Sequence, residues 1–325
     1  MTEEFNKVRD ARFQEVDSET REKVLREGLA MRLRMILEKK KDGRMKGRLV
    51  GQGFFELQSQ YGKKLDSPVA SLTAFRMLLF MGGEETDVIA SGDISGAFLV
   101  ADEYKSTDED RYVMLREYKG GPLHVWKLTG PLYGSKDSPY RWWDSFTKFV
   151  TKVNALVAEG FQPIEKDNTN PNQVEVTEVL ATAASNFQKG INEPCVFYNP
   201  HTNMRLVLYV DDVITRGSEK ETRAFYEALN DKYPMRGWDI LTPDTPLTHL
   251  GFTITEEVRE GVTHRYMSQE KDVVQFLEDN EIELVQEVTC PMPTREAMLR
   301  NDTPLSDEGK KVFRKLVGSL RVSCS

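Results

Sequence analysis

The chain has 325 residues, of which 39% are hydrophobic and 30% charged, and a formal net charge of −8. This composition excludes a disordered or fibrous chain, and the length suffices for more than one substructure with its own core. No apolar run approaches the ~18 residues that a membrane helix needs, and Met1-Thr-Glu-Glu-Phe-Asn-Lys7 lacks the apolar centre of a secretory signal. Cys195, Cys290 and Cys324 stand far apart and share no ligand spacing with the four histidines. That argues against a disulfide framework or a zinc site and for a reducing compartment.

The acidic balance is uneven. From Arg21 to Arg48 there are eleven Lys or Arg and four Asp or Glu, a local excess of seven positive charges. Screening confines such fields to about 10 Å, so a basic stripe on an acidic protein can still neutralise phosphates locally. A solvated face without a partner fits the charge pattern as well.

In chain order, residues 1–30 are charged and read as a helix or a loosely held arm. Met31–Glu38 and Met45–Gly53 read as a hairpin around Asp42-Gly43, a pair that accepts the positive φ of a tight turn. Ser71–Met81 is a short apolar helix stopped by Gly82-Gly83, and Val88–Ser91 is a strand leading to Asp93. Ser138-Pro139 opens an amphipathic helix with Ser138 as cap. Trp142, Phe146, Phe149, Val153 and Val157 share its apolar face, and Gly160 ends it. Residues 162–188, rich in Pro, Asn and Thr, read as a surface insertion. Arg205–Val210 and Val213–Thr215 read as strands joined at Asp211-Asp212. Ser218-x-x-Glu221 is a capping box that starts a helix. Leu250–Thr255 and Thr263–Met267 form a hairpin around Glu260-Gly261, Ser268–Asn280 is a helix, and the tail from Thr289 is loop and then helix. This mixture implies an α+β or α/β plan.

The run Leu206-Val-Leu-Tyr-Val-Asp-Asp-Val-Ile214 places two acids at an apolar hairpin tip. Alone, the pair is as well explained as a polar turn. Asp93 adds a third carboxylate at a strand end, followed by the small residues Ser95, Gly96 and Ala97 that let a ligand approach the backbone. Three converging carboxylates suit a pair of Mg²⁺ ions, which take hard oxygen ligands and catalyse phosphoryl transfer when about 3.5–4 Å apart.

An ordered series of blocks, from about Lys39 to Leu320, resembles the reverse transcriptases of copia-type LTR retrotransposons. Lys46-Gly-Arg-Leu-Val-Gly-Gln-Gly-Phe54 and Ser67-Pro-Val-Ala-Ser-Leu-Thr-Ala-Phe-Arg76 come first. Gly92-Asp-Ile-Ser-Gly-Ala-Phe-Leu99 and Leu132-Tyr-Gly-Ser-Lys-Asp-Ser-Pro139 follow. Leu208-Tyr-Val-Asp-Asp212 is identical to the family's catalytic box, and His249-Leu-Gly-Phe-Thr-Ile254, Ser268-Gln-Glu-Lys271 and Leu316-Val-Gly-Ser-Leu320 continue the order.

The resemblance implies an α+β right-hand polymerase. Its parts would be an N-terminal arm at 1–30, fingers at 31–90, a palm interleaved with fingers at 91–255, and a thumb with the start of a connection at 256–325. It implies an RNA-directed DNA polymerase that joins a dNTP to a primer 3′-hydroxyl on an RNA or DNA template. Asp93, Asp211 and Asp212 would hold two Mg²⁺ ions, or Mn²⁺ in their place. Lys46 and Arg48, two apart on a strand, would grip the incoming triphosphate. Phe98 would be the gate against a ribose 2′-hydroxyl, with core packing as its alternative. Tyr133 and Gly134 would line the nucleotide pocket, Leu250 and Gly251 would form the primer grip, and Trp142 and Trp143 would be packing residues. The chain would act without a membrane, in a cytoplasmic virus-like particle or the nucleus, as part of a Pol polyprotein that also carries ribonuclease H and integrase.

Two departures stand out. Gly160-Phe161 and Glu193-Pro-Cys-Val-Phe197 are separated by some thirty residues where the family has a short connection, and the chain stops where the family continues. A polyprotein fragment or truncated element is the expectation. One rival is a decayed or co-opted element that binds nucleic acid without polymerising. The intact set Asp93, Asp211, Asp212, Lys46, Arg48 and Phe98 speaks against it. The other rival is an unrelated two-metal phosphotransferase, which has no need of the ordered blocks.

Overall fold

The computed structural model describes residues 2–39, 43, 45–56, 65–81, 84, 86–116, 120–158, 186–281 and 305–323. The chain opens with α1 (Thr2–Arg12), β1 (Phe13–Glu15) and α2 (Ser18–Glu27). Asp17 caps α2 by accepting from the Thr20 N–H, and Gly28 ends it at φ 66°. Next come β2 (Ala30–Lys39), β3 (Met45–Gly51), a 3₁₀ turn (Gly53–Phe55), α3 (Leu72–Phe80), β4 (Val88–Ile94) and α4 (Ala97–Val100). They are followed by β5 (Arg111–Arg116), β6 (Leu123–Leu128) and α5 (Ser138–Ala158). After the next described residues come β7 (Gln188–Lys189), β8 (Val196–Tyr198), β9 (Arg205–Tyr209), β10 (Asp212–Gly217), α6 (Glu219–Lys232) and β11 (Met235–Ile240). The chain closes with β12 (Leu247–His249), β13 (Phe252–Arg259), β14 (Val262–Ser268), α7 (Glu270–Asp279) and α8 (Asp307–Ser323). The mixed α+β expectation holds.

Two compact units emerge, Met1–Ile240 and Leu241–Ser325. The first contains a five-stranded mixed sheet in the order β1-β6-β5-β2-β3 and a six-stranded sheet in the order β11-β4-β10-β9-β8-β7. The expected charged arm is not loose. Val8 is fully buried, β1 pairs with β6 through Phe13↔Leu128, and the buried Arg12 donates to the Ala101 carbonyl at 2.7 Å. The arm belongs to the sheet because its few apolar residues, Phe5, Val8 and Phe13, pack on Trp126 and Leu128.

The six-stranded sheet carries the main core. Ala90, Ile94, Leu206, Leu208 and Val213 pack with Trp142, Phe146 and Val150 of α5 and Phe225, Tyr226 and Leu229 of α6. Side chains alternate along a strand, so Ile89 and Ile214 point to the other face, and α3 lies against β9 and β10. Arg216, on that face of β10, donates to the Leu78 and Leu79 carbonyls at the end of α3. Tyr226 ties the central strands, its hydroxyl lying 3.0 Å from the carbonyl oxygens of both Ala90 and Val213.

Several local expectations are met. Ser218 caps α6, accepting from the Glu221 N–H, and α3 forms where a short apolar helix was expected, with Ser71 as a cap that was not anticipated, accepting from the Ala74 N–H. Ser138 is not a cap. It lies inside the first turn of α5, and its hydroxyl bridges the Leu132 N–H and carbonyl at 3.0 and 2.8 Å, while the Asp137 carbonyl receives the Arg141 N–H. The expected turn residue Asp42, the stop at Gly82-Gly83, Gly160 and the bulk of the 162–188 insertion lie outside the described residues. Of that insertion's last residues, Phe187 is fully buried against Phe225, so the packed sheet resumes before the expected boundary.

The second unit holds the three-stranded antiparallel sheet β12-β13-β14 with α7 and α8. The β13–β14 hairpin turns at Glu260-Gly261 with φ 52° and 78°, the double positive φ of a tight two-residue turn. The compact unit starts at Leu241, so the expected division at 255 would have cut through β13. Among the described residues no helix is long and apolar enough to cross a membrane.

Candidate active site

β4 and β10 pair antiparallel with Asp212 directly opposite Asp93. Both side chains point to the face that carries Ile89 and Ile214. β9 and β10 are joined by the two-residue turn Val210-Asp211, since Tyr209 pairs with Asp212. Val210 takes φ 54°, a left-handed conformation that a β-branched residue adopts only at a cost. The turn is pinned from two sides. The Asp211 carbonyl accepts from the Ile94 N–H at 2.8 Å, and the Trp142 indole N–H donates to the Val210 carbonyl.

Cross-strand partners have Cβ atoms about 4.5–5.5 Å apart, and like charges facing each other in this way destabilise a sheet. The electrostatics register the conflict. Burial, then the charges of Asp211 and Asp93, push the Asp212 carboxyl up to about 6. Asp93 is also raised, by burial first and by Asp211, against the opposing pull of Arg236 and Lys46. The Asp93 carboxylate is split in its bonding. Oδ2 accepts from Arg236 Nη1 at 2.8 Å, while Oδ1 is shielded from solvent and has no hydrogen-bond partner among the described residues.

Arg236 was not anticipated. The register of β11 on β4 runs from Met235↔Ile94 to Gly237↔Asp93, leaving Arg236 as the extra residue of a β-bulge, with Gly237 at φ 146°. A glycine inside the strand-forming run Met235–Ile240 was the available signal. Trp142 was expected to be a packing residue; it is one, and its N–H also holds the acidic turn.

Of the other expected residues, Lys46 and Tyr133 lie within electrostatic reach of these acids. Lys46 and Arg48 share a face of β3, opposite Glu38 and Ile36 of β2. The charge of Lys46 is felt at Asp93, and Arg48 pairs with Glu38 at 2.9 Å. Phe98 on α4 packs partly into the core and sits edge-on to Tyr133 with ring centroids 5.1 Å apart. Burial and the charge of Asp211 hold the Tyr133 hydroxyl above its ordinary value, and so protonated. Gly134 takes φ 86°, and a Cβ there would fall 2.1 Å from the Gly51 carbonyl oxygen. The Gly51 N–H donates to the Tyr133 carbonyl at 2.7 Å, so two backbones cross where only glycine fits. Leu250 and Gly251 belong to the second unit, where they form the turn between β12 and β13, with φ 52° and 80°.

Among the described residues no three His, Cys, Asp or Glu side chains form a closed metal-ligand group. Mg²⁺ does not need one, because it takes one or two carboxylates and completes its shell with water and phosphate oxygens. The opposed Asp93 and Asp212, with an unbonded oxygen on Asp93, fit such an ion.

A known family matches part of the chain. Residues 26–163 match a family described as "Reverse transcriptase (RNA-dependent DNA polymerase)". This reverse-transcriptase-like segment contains Asp93 and the five-stranded sheet from β2 onward, and ends before Asp211-Asp212. No curated protein matches the chain. Among solved structures, telomerase from Candida albicans in complex with a fragment of telomeric RNA aligns with a TM-score of 0.40 and 9% identity, over 78% of this chain and 47% of that one. Apo telomerase from Candida tropicalis, truncated from its C-terminal domain, aligns with a TM-score of 0.39 and 10% identity, over 78% of this chain and 57% of that one. The chain spans about half the length of these structures.

Proposed function

We propose that this chain is the polymerase core of a copia-type retrotransposon reverse transcriptase, an RNA-directed DNA polymerase. The observation that carries the reading is the placement of Asp212 opposite Asp93, with Asp211 in the adjoining turn. A sheet gains nothing by facing two carboxylates, so their chemistry is the reason for the arrangement. The reverse-transcriptase match over 26–163 supports the same reading.

In this reading the six-stranded sheet is the palm, the five-stranded sheet the fingers, and the second unit the thumb. Asp93, Asp211 and Asp212 would hold Mg²⁺, with Mn²⁺ as a substitute. When bound, the divalent cations supply activation of the primer 3′-hydroxyl and neutralisation of charge on the transferred phosphate. Trp142 and Ile94 fix the turn so that Asp211 stays beside its partners. Lys46 and Arg48 meet the triphosphate of the incoming dNTP, Arg48 exchanging Glu38 for phosphate. Phe98, held edge-on by Tyr133, closes the sugar side of the pocket, and the Gly51–Gly134 crossing lets the backbone form its floor. Leu250-Gly251 presents the primer. An RNA or DNA template with its primer would bind in a salt-dependent, sequence-tolerant way. The parent polyprotein would supply ribonuclease H and integrase, inside a cytoplasmic particle or the nucleus.

The test is extension of a DNA primer on an RNA template with Mg²⁺. The full chain is expected to extend, and Asp211→Asn to lose activity by roughly 10³-fold or more, since metal ligation is worth several kcal/mol at the transition state. Extension unchanged in Asp211→Asn overturns the mechanism. A folded chain that binds primer–template and never extends is the co-opted element instead.

A further inference from the structure

We infer that Arg236 is a built-in counter-cation for Asp93, which competes with the divalent cation for that carboxylate and so sets how tightly the centre binds metal. The inference rests on the proposed metal role of Asp93.

The geometry is specific. Arg236 Nη1 lies 2.8 Å from Asp93 Oδ2, and the guanidinium side chain is 48% exposed against 33% for the carboxylate. Exposed pairs of this kind contribute little to stability, so stability alone does not explain the device that builds it. That device is the bulge at Arg236, and bulges re-aim side chains near functional sites. The strand is anchored on both sides of the bulge. The Ser95 N–H donates to the Pro234 carbonyl at 2.7 Å, and Trp238 stacks on Tyr226 with centroids 4.9 Å apart. The backbone of Arg236 is therefore fixed, while its long side chain remains free to swing into solvent.

The charge count gives the pair its purpose. The charge of Asp211 raises both Asp93 and Asp212, Asp93 raises Asp212 further, and Arg236 opposes the rise at both Asp93 and Asp212. Among the described residues the guanidinium bonds Asp93 Oδ2 and leaves Oδ1 unpartnered, so it relieves the repulsion without satisfying every carboxylate oxygen. Asp93 and Asp212 would help hold the divalent cation, and its charge would repel the guanidinium from Oδ2. Arg236 thus acts as a placeholder that offsets part of the carboxylate repulsion in the metal-free chain and would release Asp93 to the cation.

The experiment is a Mn²⁺ titration of the full-length, nucleic-acid-free protein, read by the loss of the free-ion electron paramagnetic resonance signal. Wild type, Arg236→Gln, Arg236→Lys and Asp93→Asn are compared. Arg236→Gln is expected to bind Mn²⁺ about three- to tenfold more tightly, and Arg236→Lys, which keeps the charge, to stay within about twofold of wild type. Circular dichroism melts of the metal-free variants confirm that each is folded. Equal or weaker binding by folded Arg236→Gln, with wild-type binding still dependent on Asp93, overturns the competition and leaves the polymerase reading standing. Wild-type binding that Asp93→Asn does not diminish overturns the metal role of Asp93, and the inference with it.

Discussion

Asp93 and Asp212 face each other across the β4–β10 pair, two carboxylates at one register position where both strands end, on the inner strands of the six-stranded sheet. Much of their surroundings on these strands is apolar and buried: Ile89, Ala90 and Ile94 on one strand, Val213 and Ile214 on the other. The facing acids repel each other there, and the stability lost should be measurable.

Burial and its acidic neighbours raise Asp212 to about 6 in the folded chain, against 3.8 ordinarily. A carboxyl raised on folding binds its proton more tightly in the folded state. Its stabilising contribution is complete below about pH 4 and is lost as pH rises through 6. Asp212→Asn removes that loss. In chelator at pH 7.5 the variant should be more stable than wild type by on the order of 1–2 kcal/mol, after discounting for partial exposure. At about 2–4 °C per kcal/mol for a unit of this size, thermal melts resolve the difference, and it should vanish at pH 4. Identical melts at pH 7.5 would mean that the facing acids do not oppose each other.

A second prediction concerns the turn that holds Asp211. The Trp142 N–H and the Val210 carbonyl form the bond that ties α5 to the tip of the β9–β10 hairpin. Trp142→Phe keeps most of the ring in the core but leaves that carbonyl without its donor, at a cost of about 1–3 kcal/mol. The loosened tip should lower kcat for primer extension and leave the KM for dNTP nearly unchanged. Val210→Gly acts in the opposite sense on the backbone. It relieves a left-handed φ of 54°, worth about 1–2 kcal/mol, but loosens the unfolded chain, so its melting temperature should stay within a few degrees of wild type. A large loss in Val210→Gly would show that the side chain, not the turn, does the holding.

Much of the centre could be read from the chain because its determinants are local. The apolar runs around Asp93 and Asp211-Asp212 give their own strands, and Ser218 caps its helix with a side chain only three residues from its target. What escaped depends on distant partners. β1 is three residues long and exists because Phe13 meets Leu128, and β5 has a parallel neighbour in β2, some eighty residues earlier. Ser138 looked like a cap until Leu132 offered both its backbone groups to the hydroxyl. Arg236 is a surface arginine by composition. Only the bulge, which needs β4 as a reference, turns it onto Asp93.

The crossing of Gly51 and Gly134 yields a third prediction. A methyl group on Gly134 would sit 2.1 Å from the Gly51 carbonyl oxygen, and the residue is also at φ 86°. Neither can relax without parting the backbones joined by the Gly51 N–H and the Tyr133 carbonyl. Gly134→Ala should destabilise the first unit by more than about 2 kcal/mol, as backbone substitutions at incompatible φ do. Tyr133 carries its ring against Phe98, so the surviving folded protein should also show a raised KM for dNTP. A wild-type denaturant midpoint in Gly134→Ala would show that the crossing is not rigid.

The second unit has its own pH signature. His249, at the end of β12, is 2% exposed, and burial lowers its imidazole to about 4 from the ordinary 6.5. Here the sign is reversed relative to Asp212. The unfolded chain takes up a proton near pH 6.5 and the folded chain does not, so the contribution is complete above 6.5 and lost as pH falls towards 4. Because this histidine lies on β12, opposite Phe252, its protonation should open the β12–β13 turn at Leu250-Gly251 first. Hydrogen exchange of the β12 and β13 amides should accelerate between pH 6.5 and 4.5, beyond the intrinsic pH dependence, while those of β4 and β10 do not. His249→Leu should remove the acceleration. Its persistence in that variant would assign the acid sensitivity of this unit to some other group.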